Sequence, residues 1–300
     1  MYQKRVPKGT PRRGGQFAEG RKPQGAELKT SRTDEVLAEL SAGVRSLSSS
    51  ERWTEYLDVQ SKFHSYSFGN TVLILSQRPQ ASRVAGYKKW QELGRQVKKG
   101  EHQIMILAPV IKKVESEDHD PQKEERRLVG FRSVGVFDES QTEGDPLPTI
   151  APELEGVAPE GQFQSLTDVA ASFGFTVEKV SDSVIGTANG DCNPTTKHIR
   201  VKDSNSGQQQ VKTLAHELGH ALLHDADSDL PRDHKEIEAE SVAYVVSKAL
   251  GIDSSGYSFG YVTSWSRGDP DEAEKKIKES GARIQKAAHQ IIDSFAKVGV

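Results

Sequence analysis

Apolar residues recur at helical spacing in several separated stretches of the chain, with alternating runs between them. Glu35-Val-Leu-Ala-Glu-Leu40 opens an amphipathic helix. Behind the cap signal Ser48-Ser-Ser-Glu51 a second helix is expected from about Trp53 to Phe63, with Trp53, Tyr56, Leu57 and Phe63 at its apolar or aromatic positions. Thr71-Val-Leu-Ile-Leu75 predicts a third helix that ends before Pro79. Residues 103–114 read as a strand, residues 115–127 as an exposed charged hairpin loop, and residues 128–137 as the return strand. The Pro/Gly/Glu-rich stretch 144–161 then breaks the pattern. Beyond it a short helix over 166–173 closes at Gly174, a strand follows over 175–180, and Gly186-Thr-Ala-Asn-Gly190 has turn chemistry. Residues 197–201 alternate as a strand and lead into a helix over 211–224. Further helices are expected over 233–250 and 270–297, the last with Ala273, Ile277, Ile284, Ala288, Ile291, Ile292 and Phe295 on its inner side.

This pattern divides the chain into a basic arm at 1–33, a folded unit at 34–148, a linker at 149–162 and a second folded unit at 163–300. A length of 300 residues is in keeping with about two domains. The arm holds nine Lys/Arg against two Glu, with few apolar residues, so it cannot bury enough surface to fold alone. Hydrophobic residues make up 34% and the mean hydropathy is -0.63, in keeping with folded parts plus solvated tails. The single cysteine, Cys192, excludes an intramolecular disulfide and reads as a loop or core thiol rather than a nucleophile. No run approaches the roughly 20 apolar residues of a membrane span, and the basic N-terminus lacks the apolar core of a signal peptide. A soluble, cytoplasmic protein with no membrane partner is expected.

The chemistry concentrates in the helix over 211–224, which contains His216-Glu217-x-x-His220. Residues four apart lie on one helix face, so both imidazoles can reach one metal ion. Glu217 stands beside them, where a carboxylate can take a proton from a water. Leu214, Leu218, Ala221 and Leu222 recur at helical spacing and bury the helix under the site. A catalytic zinc needs a third protein ligand, which the next helix can supply. Glu236 and Glu240 share a face there, whereas Glu238 is displaced by about 200° and points elsewhere. The economical assignment makes Glu236 the ligand and Glu240 the acceptor that orients a ligating imidazole; the reverse assignment stays open. His224 closes the helix end or adds a ligand, and His234 is a weaker alternative. Tyr244, Tyr257 and Tyr261 are phenols that could donate to a developing oxyanion. The cofactor expected is one catalytic Zn2+, with Mn2+ or another divalent metal as the variant, and the reaction is hydrolysis of an amide with Glu217 as general base.

The unit at 34–148 interleaves flat side chains (Trp53, Tyr56, Phe63, Tyr66, Tyr87, Trp90) with cations (Arg83, Lys88, Lys89, Arg95, Lys98, Lys99). Stacking faces beside a basic track suit single-stranded nucleic acid, whose unpaired bases expose their π faces. The same composition also describes an ordinary core with a solvated basic rim.

One run carries a resemblance: Tyr66-Ser67, Asn70, Leu73-Ile74, Gln77-x-Pro79, Gly86-Tyr-x-x-Trp90, Leu93-Gly-Arg95, Lys99-Gly-Glu101, Phe137-Asp138 and Gln141-Thr-Glu-Gly144. It resembles the N-terminal single-stranded-DNA-binding domain of ArdC-type antirestriction proteins over about residues 34–148. The resemblance implies a DNA role for Ser67, Asn70 and Gln77 beside Trp53, Tyr66, Tyr87, Trp90, Arg95, Lys98 and Lys99. Thr213-Leu-Ala-His-Glu-Leu-Gly-His220 with Glu236-x-Glu-Ala-Glu240 is similar to the ImmA/IrrE metallopeptidases, which supports Glu236 as the ligand. Together these imply an α+β chain, in which an N-terminal α/β single-stranded-DNA-binding domain is joined to a mainly helical, gluzincin-like metallopeptidase domain. The charged insertion 115–127 and the basic arm lie outside the shared pattern. The partners implied are single-stranded DNA and a protein substrate, either a regulator or a restriction component, in a protein of plasmid or phage origin. A non-proteolytic DNA-binding antirestriction protein with a structural metal site is the alternative.

Overall fold

In the computed structural model the chain is described over residues 31–115, 124–147, 159–225, 228–252 and 269–298, together with Tyr257, Phe259 and Val262. The basic arm before Ser31, the tip of the charged insertion, most of the linker and Tyr261 lie outside the described residues. The fold is α+β, as the resemblances imply.

The N-terminal segment opens with α1 (Arg32–Ser46), α2 (Ser50–Lys62) and α3 (Phe68–Gln77). Ser49 and Ser67 cap the second and third, accepting from the backbone N–H of Arg52 and Asn70. Next come β1 (Val84–Ala85), α4 (Tyr87–Glu92), β2 (Arg95–Val97), β3 (Ile104–Glu115), β4 (Glu124–Asp138) and β5 (Thr142–Gly144). β3 and β4 form the expected antiparallel hairpin, in register from Ile104↔Val136 to Glu115↔Glu124 with a bulge at Val110/Ile111. β1 pairs with the other side of β4, giving the order β1-β4-β3, and β2 pairs with β5 in a two-stranded ribbon. The short elements β1, α4, β2 and β5 had no signal in the hydrophobic pattern, because two to six residues define no period.

β3 is an edge strand, and an open edge presents unpaired backbone groups. Two side-chain amides from α3 close it. Asn70 donates to the Leu107 carbonyl and accepts from the Leu107 N–H, both at 2.9 Å, and Gln77 does the same at Met105 at 2.9 and 2.7 Å. Each amide copies the pairing of a strand residue.

The C-terminal segment has α5 (Pro159–Ser172), β6 (Thr176–Val180), α6 (Asp182–Ile185), β7 (Gly190–Asn193), β8 (His198–Lys202), α7 (Gly207–Leu223), α8 (Arg232–Ala249) and α9 (Pro270–Val298). Its sheet has the order β6-β8-β7, with β6 parallel and β7 antiparallel to β8. The turn expected over 186–190 is present, and β7, which the pattern does not predict, starts at its last residue and forms the sheet edge beside α7. Every residue expected on the inner side of α9 is buried.

One apolar core runs from Val36 to Phe295. α2 packs on α8: the buried Trp53 indole N–H donates to Ser241 at 3.0 Å, and Asp58 accepts from Tyr244 at 2.7 Å and pairs with Lys248 at 3.0 Å. α1 is tied to α9 by Arg45 and Ser41, both bonded to Glu274 at 2.7 Å. Among the described residues no helix is long and apolar enough to cross a membrane.

Trp53 therefore supports α8 rather than facing a ligand, and its ring is fully buried. Trp53→Ala should lower the free energy of unfolding by about 3–5 kcal/mol through the cavity it leaves; equilibrium urea unfolding measures this, and a loss below about 1 kcal/mol would contradict the placement.

Candidate metal centre

Helix α7, which carries His216 and His220, is capped by Ser206, whose hydroxyl accepts from the Gln209 N–H, and its apolar stripe of Val211, Leu214, Ala215 and Leu218 is buried. Burying that stripe turns His216 and His220 to the other side, with ring centroids 4.7 Å apart. Their Nε2 atoms lie 3.1 Å from each other. α8 crosses close by. Gly219 makes this possible, since a Cβ there would lie 3.0 Å from the Ala239 Cα and 3.1 Å from its carbonyl oxygen. From α8 one Glu236 oxygen reaches 3.5 Å from His216 Nε2 and 3.6 Å from His220 Nε2. Ligand atoms of His216, His220 and Glu236 all lie within 4.8 Å of one another, a geometry that could hold one divalent ion; no other such group of three is found among the described residues.

Glu240 sits one turn on and meets the far nitrogen of His216, with Nδ1 to Oε2 at 3.0 Å. Glu238 points the opposite way into the core, fully buried. It accepts from Arg283 and lies 3.1 Å from His224 Nε2. Burial would raise the Glu238 carboxyl, but His224 and Arg283 hold it below its ordinary value. His224 is the C-cap of α7, one of the two roles its position suggests, and its Nδ1 lies 3.0 Å from His220 Nδ1. His234 stands in the first turn of α8, outside the converging trio.

Electrostatics favour a cation here. Burial opposes a charged His216, yet hydrogen bonds to Glu236 and Glu240 lift its pKa to about 10. The His216 imidazole, with His220 beside it, pushes the Glu236 carboxyl far below its ordinary value. Two imidazole nitrogens and a carboxylate oxygen are the ordinary donors for zinc, so the residues fit a divalent metal.

Glu217 faces a cavity of about 360 Å³ shared with Gly190, Lys212, Thr213, His216, Glu240 and Tyr257. Gly190 on β7 leaves its carboxylate room, because a Cβ there would sit 2.9 Å from Glu217 Oε1 and 2.5 Å from Thr213 Cγ2. The sequence pattern does not single out Gly190 or Lys212. Lys212 falls one turn before His216 on the same face, so helical spacing alone could have found it. Of the candidate phenols, Tyr257 lines this cavity and is pushed up to about 12 by burial, while Tyr244 is bonded to Asp58. Cys192 is half-buried on β7, and burial, with Glu217 and Asp191 nearby, pushes its thiol up to about 12, which makes it a poor nucleophile.

The DNA-facing set needs correction where the residues are buried. Trp53 lies in the core, and so does Trp90, whose indole N–H donates to the Phe137 carbonyl at 2.9 Å. Tyr56 and Phe63 are buried as well. The Tyr66 hydroxyl donates to the Val84 carbonyl, Ser67 caps α3, and Asn70 and Gln77 pair with the β3 edge. Arg95 is turned onto Thr142 and the Asp145 carbonyl. These motif residues hold secondary structure together. Tyr87, Lys88, Lys89, Lys98 and Lys99 remain exposed on one short segment.

Burial raises the Glu217 carboxyl to about 7. A carboxyl whose folded-state pKa is raised is ionised at a cost to the fold, and that cost is absent below its ordinary value of 4.5 and complete above about 7. In chelator-treated protein, Glu217→Gln should therefore stabilise the fold at pH 8, by at most about 3 kcal/mol, with the gain vanishing near pH 4.5. Thermal unfolding across this range tests it, and a variant less stable than the parent at pH 8 would refute it.

Comparison with known proteins follows the same division. Residues 26–137 match the family described as the N-terminal domain of anti-restriction factor ArdC, and residues 170–248 match the IrrE N-terminal-like domain family. An uncharacterized protein of Bacillus anthracis is 26% identical over 310 residues, which cover 88% of this chain and 50% of that protein. The chain thus spans about half the length of the curated relative it matches. Two crystal structures of antirestriction ArdC protein from the R388 plasmid, one metal-free and one Mn(II)-bound, are each 22% identical to it with a TM-score of 0.49. Both cover 77% of this chain, and 86% and 85% of their own chains. The two family matches thus fall in the same order as the two halves of the fold, an ArdC-type N-terminal domain followed by an IrrE-like domain.

Proposed function

We propose that this protein is a zinc-dependent endopeptidase that binds single-stranded DNA and acts in antirestriction or in control of a regulator. The observation that carries the reading is the convergence of His216, His220 and Glu236 within 4.8 Å, with the buried Glu217 carboxyl beside them. His216, His220 and Glu236 would hold the ion, which is Zn2+ in this reading, with Mn2+ or another divalent metal as the variant. Glu240 would orient His216. When bound, a divalent metal supplies a Lewis acid that polarises a carbonyl and acidifies a water.

Glu217 is the general base of this reading. A carboxyl at about 7 is half ionised at neutral pH, so it can take a proton from the attacking water and return it to the leaving amine. Gly190 keeps the space in front of it open. The Tyr257 phenol stays protonated and stands at the cavity wall as a donor for negative charge developing on the carbonyl oxygen. The ArdC-type N-terminal match supports the DNA part of the reading. The exposed Tyr87, Lys88, Lys98 and Lys99 are its proposed contacts, a stacking face beside fixed positive charge. A second reading, antirestriction by DNA binding alone, draws on that same rim, which works without a metal.

Glu217→Gln should retain one equivalent of zinc by elemental analysis and lose cleavage of host proteins in an extract compared by mass spectrometry. Identical cleavage by parent and variant would reject Glu217 as the base. In a host with an active restriction system, full protection of incoming DNA by the same variant would favour the second reading.

DNA affinity should be higher for single strands than for duplex. Replacing Lys98 and Lys99 by Ala should reduce the slope of log affinity against log salt by about 0.7 for each phosphate no longer neutralised. Fluorescence anisotropy over a salt series measures both, and equal affinity for the two forms would sink the stacking model.

A further inference from the structure

The two imidazoles are held differently from behind. His216 meets Glu240 directly, at 3.0 Å from Nδ1, at the half-exposed mouth of the site. The Nδ1 of His220 meets an imidazole instead of a carboxylate: it lies 3.0 Å from His224 Nδ1, and His224 Nε2 in turn lies 3.1 Å from Glu238. Both members of this second link are out of solvent, with side-chain exposures of 4% for His224 and 0% for Glu238. Arg283 on α9 closes the chain, donating to the other Glu238 oxygen, and its Nη2 also donates to Ser280 Oγ at 3.2 Å.

The geometry points to Glu238 and His224 as a positioning relay that sets the tautomer of His220 and leaves its Nε2 lone pair for the metal. The direction of every bond follows from one end. Glu238, paired with Arg283, is ionised and can only accept, so His224 carries its proton on Nε2. With its proton on Nε2, His224 presents Nδ1 as the acceptor in the 3.0 Å contact with His220 Nδ1. His220 must place its proton on Nδ1, and its Nε2 faces His216 and Glu236 unprotonated. A metal-binding imidazole needs its far N–H fixed in this way. Glu240 fixes it in one step for His216, and the relay does so in two for His220. The second route ties the metal site to α9.

This inference rests on His216, His220 and Glu236 being metal ligands, and its test separates the two. Long-range 15N–1H spectra of the histidines in the full-length, metal-free chain near neutral pH should show His220 protonated on Nδ1 and His224 protonated on Nε2. A His220 proton on Nε2, or a doubly protonated His224, would overturn the relay. The second measurement uses Glu238→Gln and zinc alone. Arg283 would claim the amide oxygen and leave the amide NH2 facing His224. His224 would then donate from Nδ1, and the His220 proton would move to Nε2, where the ion should bind. Zinc affinity by competition with a chelating dye should fall about 10–100-fold, while equal affinity in parent and variant would overturn the relay. A parent chain that binds no zinc overturns the relay's role toward a metal together with the ligand assignment. A parent that binds zinc no more tightly than E238Q overturns the relay alone. If E238Q does not fold, the spectrum of the parent chain decides.

Discussion

The close crossing of α7 and α8 at Gly219 and Ala239 governs the rest of the structure. At this point the helices touch through backbone, because a single Cβ on residue 219 would reach 3.0 Å from the Ala239 Cα. Only at this separation can the short side chain of a glutamate on α8 reach an imidazole on α7. Three carboxylates two residues apart then divide between two directions: Glu236 and Glu240 go to the ligand face, and Glu238 goes to the core. A wider spacing would leave Glu236 and Glu240 short of the imidazoles and would take His224 from Glu238, whose remaining partner is Arg283 on α9.

Because α8 carries Glu236 and Glu240, whatever holds α8 holds the candidate metal site. Its other faces are packed by α2 through Trp53 and Asp58 and by α9 through Arg283. The segment matched to the IrrE-like family ends at residue 248, yet the residues that brace its second helix come from positions 53, 58 and 283. The aromatic and amide residues of the N-terminal half thus have structural work: Trp53 and Trp90 fill the core and donate to Ser241 and Phe137, while Asn70 and Gln77 cap a sheet edge. The residues around Tyr87 and Lys98, by contrast, stay exposed.

Charge in this molecule follows the same logic. Of the carboxylates drawn into the interior, Glu238 and Glu274 have cationic or imidazole partners, and Asp138 accepts from the backbone N–H groups of Ser82, Arg83 and Ser140. Glu217 instead has a pKa lifted to about 7. The solvated carboxylates form surface ion pairs such as Lys89–Glu92, worth little individually. Glu217 is the buried carboxylate that faces a cavity rather than an arginine, the placement that the proposed general base needs.

The long helices, the hairpin, the His-Glu-x-x-His face, the pairing of Glu236 with Glu240 and the separate direction of Glu238 were all legible in the sequence. Each is a matter of period within one element, and a helix of 17 or 18 residues repeats its period often enough to be read. What the sequence could not decide was which of many aromatic and polar residues face inward across elements. Trp53 reads equally well as a stacking platform and as a core residue until α8 is seen to lie against it. Ser241, 188 positions away, is what settles the matter, and no local pattern encodes a partner at that distance. For the same reason Gly190, the closing of the β3 edge by amides and the chain from His220 to Arg283 were invisible, since each exists only where separate elements meet. Periodicity fixes which face of an element is apolar; tertiary packing alone decides what that face, and the polar one opposite, will touch.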